Sequence, residues 1–198
     1  NGTFSPQLLV GIVDSGERNP NNITPTAYVV MLNPSSGAQT TILTQSLGAP
    51  EIAPRFGDGA NAGDAAWHAW TPTGKDALWP MPILSDIQFS RDGLTMLLGF
   101  RDRNGDVYQT NTGNNWWRVQ EQGDVLAYKA VNGAWQLQTR GGINTPSDYF
   151  GDNFLGAGAA TTSAHVENFM GALAWTLTGG SGSYTEQFVT ATTLPASY

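Results

Sequence analysis

The sequence predicts an all-β fold built from antiparallel, four-stranded repeat units, and three observations predict it. Segments recur along the 198 residues. Leu9-Val10-Gly11-Ile12-Val13-Asp14 matches Leu97-Leu98-Gly99-Phe100-Arg101-Asp102. The stretch 27–37 resembles 123–133, and Asp86-Ile87-Gln88-Phe89-Ser90 resembles Gly171-Ala172-Leu173-Ala174-Trp175. The composition is turn-rich: Gly numbers 24, and charged residues make up only 13%, about half the usual share. No stretch combines helical period with caps. Recurring segments usually signal solenoids or propellers, at shorter periods than this one, so long insertions must sit inside the units. Four antiparallel strands per unit is the pattern of a propeller blade. The expected fold is therefore β-propeller-like, as a closed or an incomplete ring.

The elements follow in order. Residues 7–14 form a strand, followed by a polar turn segment over 16–26. Residues 27–33 and 38–44 form a hairpin around Pro34-Ser35-Ser36-Gly37, with Pro early and Gly late. Residues 45–82 read as a long irregular loop, since five Pro and Gly57-Asp58-Gly59 suit neither helices nor central strands. Residues 84–90 and 94–102 form a hairpin around Arg91-Asp92-Gly93. Asn104-Gly105 signals another hairpin, with short strands over 106–110 and 116–121. Residues 124–130 and 134–139 pair around Asn132-Gly133. A Gly-rich loop spans 141–163, and 164–171 has room for one short helical turn. Residues 169–178 and 184–191 make the last hairpin.

Assembled, these give one domain over 1–198: a partial unit (7–44), the long loop (45–82), a complete unit (83–140), a second loop (141–168) and a partial unit (169–191). A chain that begins and ends inside a unit is expected to leave unpaired edges at 7–14 and 184–191. Neither edge carries the Lys or inward Pro that blunts edges. The expected partner is therefore another protein chain added by strand pairing, either a copy of this one or the remainder of a precursor.

Charge and composition exclude several classes. The net charge is −7, and nine Lys and Arg are scattered without a basic stripe, which argues against a nucleic-acid partner. There is no Cys, hence no disulfide and no thiolate chemistry. No apolar run reaches the ~18 residues of a membrane span. An acidic, Lys-poor, Cys-free chain fits a bacterial protein at the cell surface or outside the cell, although a cytosolic protein can also lack Cys. No Gly-x-Ser-x-Gly, phosphate loop or dinucleotide fingerprint occurs.

Ser85-Asp86-Ile87-x-Phe89-Ser90-x-Asp92-Gly93, with Leu98-Gly99-Phe100-Arg101-Asp102-Arg103, resembles a propeller-like module of large bacterial surface proteins, often found beside SdrD B-like or cadherin-like repeats. Gly123-Asp124-Val125-Leu126 and His165-x-Glu167 ahead of Gly171-x-Leu173-Ala174 fit that module's signatures. The match covers about 83–175, and less well 7–43. The module's double Gly before its last strand is Gly171-Ala172 here. The resemblance implies an exported, surface-anchored protein and brings no activity with it.

The candidate site follows from the hairpin geometry. The start of one strand and the end of the next lie together, so Ser85 and Asp86 are expected beside Asp102 and Arg103. His165 and Glu167 would sit at the same end one unit along, with Asp14 closing the preceding strand. In a radial arrangement Asp86, Asp102, Arg103, His165 and Glu167 ring one mouth of the channel. Two functions fit. One is a non-enzymatic binding or assembly module, with these residues as a ligand site. The other is a carbohydrate-active or metal-dependent hydrolase or lyase, with Asp86, Asp102, His165 and Glu167 in acid–base or metal roles. Against both stands the plain architectural role of strand-end Asp, which bonds backbone amides.

Trp67, Trp70 and Trp79 in the long loop are candidates to stack on a glycan or anchor an interface; the alternative is a small satellite core. No organic cofactor is indicated. Calcium is the one candidate ion. Asp102, Asn104 and Asp106 alternate like the start of a Ca²⁺ loop, without its closing Glu. Asp58, Asn61 and Asp64 are a second, looser oxygen cluster. Zinc finds too few ligands, since the chain has two His and no Cys.

Overall fold

The computed structural model describes residues 7–18, 24–48, 52, 55–56, 67–72, 79–103, 123–138, 165–166, 173–178 and 185–190. The fold is all-β and antiparallel. Strands β1 (Leu8–Asp14), β2 (Thr26–Leu32) and β3 (Gln39–Ser46) form a three-stranded sheet in that order. Strands β5 (Pro82–Phe89), β6 (Thr95–Asp102), β7 (Gly123–Val131) and β8 (Ala134–Leu137) form a four-stranded sheet in sequence order. Two smaller pairs are β4 (Arg55–Phe56) with β9 (His165–Val166), and β10 (Leu173–Thr178) with β11 (Thr185–Thr190). Among the described residues no helix is long and apolar enough to cross a membrane.

Alternation along the strands builds the core. Ala27, Val29 and Leu43 from the first sheet meet Met96, Leu98, Phe100, Leu126 and Tyr128 from the second in one buried cluster. β1 lies near β5 and β3 near β8, so the two sheets pack face to face, as two half-apolar sheets must to bury their apolar sides. Tyr128 donates its hydroxyl to Gln45 Oε1 at 2.9 Å, tying β7 to β3 across the layer. Burial and the nearby Asp124 carboxylate both push the Tyr128 phenol well above its ordinary range, so it stays a neutral donor. The odd-numbered residues of the central strands face the other way. Leu97, Val125 and Ala127 form a second cluster with Leu173 of β10. The four-stranded sheet is thus covered on both faces, which explains the near-continuous apolar run of β6.

The turns behave as their residues dictate. Asn132 (φ 51°) and Gly133 (φ 81°) both sit in the left-handed region, the requirement of a two-residue type I′ hairpin loop. At the β5–β6 turn, Asp92 Oδ1 accepts the Ser90 hydroxyl at 2.6 Å and the Leu94 amide at 2.9 Å. These two donors hold the Asp92 carboxyl below its ordinary range.

Several expectations are corrected. The first strand of the central hairpin starts at Pro82, not 84, because Pro is tolerated as the first residue of a strand. The loop expected over 45–82 holds the end of β3 and the two residues of β4. The turn expected over 164–171 instead contains β9, where Phe56 pairs with His165 and Arg55 with Val166. The strands expected over 106–110 and 116–121 lie outside the described residues.

Candidate functional site

Among the described residues a polar and aromatic cluster lies at the β5-start, β6-end corner of the central hairpin. Cross-strand register places Pro82 opposite Asp102 and Asp86 opposite Gly99. Asp86 therefore lies three positions along from Asp102, not beside it. A β-bulge between Leu84 and Asp86 adds Ser85 to the strand, and Ser85 donates its hydroxyl to Gly99 O at 3.0 Å. The extra residue lets Leu84 and Ile87, three apart, both reach the main core. It also puts Asp86 on the opposite face from Asp102, because Asp102 shares the face of Leu98 and Phe100.

Each carboxylate accepts a backbone amide. Asp102 is 5% exposed and Oδ1 accepts Met81 N at 2.8 Å. Asp86 Oδ2 accepts Leu173 N at 2.7 Å, and its Oδ1 accepts Gln88 Nε2 at 3.1 Å. Asp86 thus docks β10 onto the central sheet. Asp102 and Asp86 are not brought together, and no acid–base pair forms between them. His165 sits in β9 opposite Phe56; Glu167 lies outside the described residues. A further carboxylate escaped the sequence reading: Asp124 is 2% exposed and, opposite Phe100, lies on the same face as Asp102. Its place inside Gly123-Asp124-Val125-Leu126, an acid framed by buried apolar residues, was the available signal.

Residues 67–72 run as a strap beside 79–82. His68 N donates to Pro80 O at 2.8 Å, Trp70 Nε1 to Pro82 O at 2.8 Å, and Trp79 Nε1 to Ala69 O at 3.1 Å. Trp70 N reaches Ser15 O, past the end of β1, at 2.8 Å. The strap is clamped by Arg103, whose Nη1 donates to Thr71 O at 2.9 Å and whose guanidinium lies 4.7 Å from the Trp70 ring centroid. Met81, fully buried, is held from both ends: its amide binds Asp102, and its carbonyl accepts Arg103 N at 2.8 Å.

The three tryptophans part ways. Trp67 is 2% exposed and packs 6.2 Å from the Phe100 ring, so it belongs to the main core and cannot stack on a ligand. Trp70 and Trp79 are half-buried; Arg103 covers Trp70, and His68 stacks on Trp79 at 3.9 Å and 13°. These rings keep partly open surfaces on a braced support. Of the calcium candidates, Asp102 is engaged as described, while Asn104, Asp106, Asp58, Asn61 and Asp64 lie outside the described residues. Among the described residues no three His, Cys, Asp or Glu side chains gather as a metal-holding group.

Comparisons with known proteins add no identity to this geometry: no family model matches the chain, and no curated protein or solved structure matches it.

Proposed function

We propose that this chain is a non-enzymatic, β-propeller-like module of an exported bacterial surface protein, acting in binding or assembly. The observation that carries the reading is the engagement of Asp86 and Asp102. They point to opposite faces of one sheet, and each accepts a main-chain amide at 2.7–2.8 Å. General acid–base groups must reach one substrate together, and these two carboxylates are placed as structural acceptors. The face-to-face order of three-stranded sheet, four-stranded sheet and β10–β11 hairpin supports successive blades. The half-buried, braced Trp70 and Trp79 support a glycan as one ligand class, since an aromatic ring held on a rigid support stacks at low entropic cost.

The test is an activity screen on glycans, phosphoesters and lactones, run beside glycan-array binding. No turnover is expected. Robust turnover abolished by Asp86→Asn would overturn the reading in favour of a hydrolase or lyase.

A further inference from the structure

Among the described residues β1 pairs on one side only, with β2. Among the described residues its other edge has no strand partner, and an incoming strand would satisfy its backbone amides and carbonyls. Natural edges are normally blunted by charge, Pro or a bulge. The seven residues Leu8–Asp14 run in unbroken register with β2, and from Leu8 to Val13 the strand carries no charged residue and no Pro. Among the described residues three large apolar side chains are highly exposed, and two are here, Leu8 at 52% and Ile12 at 44%.

The two faces of β1 differ. Leu9 and Val13 pack on the main core, and a Cβ at Gly11 would come within 2.6 Å of the Leu84 side chain. That face packs on Leu84 and Ile87 of β5. Leu8, Val10 and Ile12 face outward, and their partners in β2 are Leu32, Val30 and Tyr28. An apolar row therefore runs across the sheet and stops at an open edge. The edge itself is approached in the plane of the sheet.

We infer that the β1 edge pairs antiparallel with β1 of a second copy of this chain, making one continuous six-stranded sheet. The inference rests on the assembly half of the proposed function and names its partner. Self-complementarity selects the occupant. A two-fold axis at Val10 sets Val10 against Val10 of the second copy, Leu8 against Ile12, and Leu9 against Gly11. Every outward position then meets an apolar residue, and the large Leu9 lies beside the side-chain-free Gly11. The Asp14 carboxylates fall at opposite ends of the seam. A seam one strand long is small beside the roughly 1,200–2,000 Å² of stable complexes, so the dimer is weak and concentration-dependent. Each copy carries a net charge of −7, and this repulsion is screened over about 8 Å at physiological ionic strength. Added salt therefore strengthens this dimer, whereas it would weaken capture of a basic partner.

Sedimentation equilibrium of the 198-residue chain over a concentration series tests this. The expected result is a monomer–dimer equilibrium that tightens with salt. Val10→Lys and Val10→Glu each weaken it by about tenfold or more, because like charges then face each other across the axis. Mixing the two variants restores a heterodimer. Val10 faces away from the core, so circular dichroism melts should match the wild type. If a Val10 variant misfolds, Leu8→Glu serves instead, and adding Ile12→Lys in the same chain restores pairing. A wild-type chain that stays monomeric at every concentration, or variants whose dimer constant is unchanged, or a mixture that fails to recover, overturns the inference. Those results are read as mass and leave the activity screen untouched, so the two readings fail separately.

Discussion

Removing the Trp67 side chain tests the strap as part of the core. The ring is 2% exposed and lies 6.2 Å from Phe100. Trp67→Ala deletes a whole buried indole and leaves a cavity, a change that costs about 3–5 kcal/mol. For a chain of this size each kcal/mol moves Tm by about 2–4 °C, so the expected fall is roughly 6–20 °C. Trp67→Phe behaves differently. Trp67 Nε1 is buried without a hydrogen-bond partner among the described residues. An orphaned buried donor costs about 1–3 kcal/mol. Phe removes that donor and keeps a ring against Phe100, while losing two or three ring atoms at about 0.8 kcal/mol each. The two effects nearly offset, and the Phe variant should melt within about 4 °C of the wild type. Thermal melts followed by circular dichroism read both. A Trp67→Ala variant that melts with the wild type, or a Phe variant as damaged as the Ala variant, refutes the placement of this ring in the core.

Two further outcomes follow from the same geometry. Asp102→Ala leaves the buried Met81 amide without its acceptor, so urea unfolding should report a loss of at least about 1–3 kcal/mol; an unchanged midpoint would show that Asp102 is not a structural acceptor. Asp92 is held below its ordinary range by the Ser90 hydroxyl and the Leu94 amide. A depressed folded-state pKa adds stability above the unfolded value and loses it as pH falls through the folded one. The stability gap between wild type and Asp92→Ala should therefore hold steady from neutral pH to the usual carboxylate range and close below it. A gap that closes near neutrality would show that the turn does not depend on this carboxylate.

The strands were legible because their pattern is local. Alternation in β2 and the apolar run of β6 can be read without knowing what lies across from them, and Asn132-Gly133 names its own turn. The candidate site was less legible because it depends on register. One added residue, Ser85, and a strand that begins two positions early at Pro82 together move Asp86 away from Asp102 and onto the other face. Neither change alters composition or periodicity enough to be seen. Trp67 illustrates a related limit. Its neighbours His68 and Trp70 are half-buried while it is almost wholly enclosed, a difference set by Phe100, more than thirty residues downstream. The pairing of His165 with Phe56 likewise joins segments too distant for any local signal.

The bulge at Ser85 also bears on how this hairpin tolerates changes in chain length. In a regular strand, losing one residue turns every following side chain over to the wrong face. At Ser85 the count is already one residue in excess of its partner strand. Deleting it would bring Leu84 and Asp86 into plain alternation, leaving Ile87 and Phe89 against the core and Asp86 still facing β10. The hairpin therefore holds one position at which a single-codon deletion is absorbed, within a sheet where the same event elsewhere would invert the buried and exposed faces.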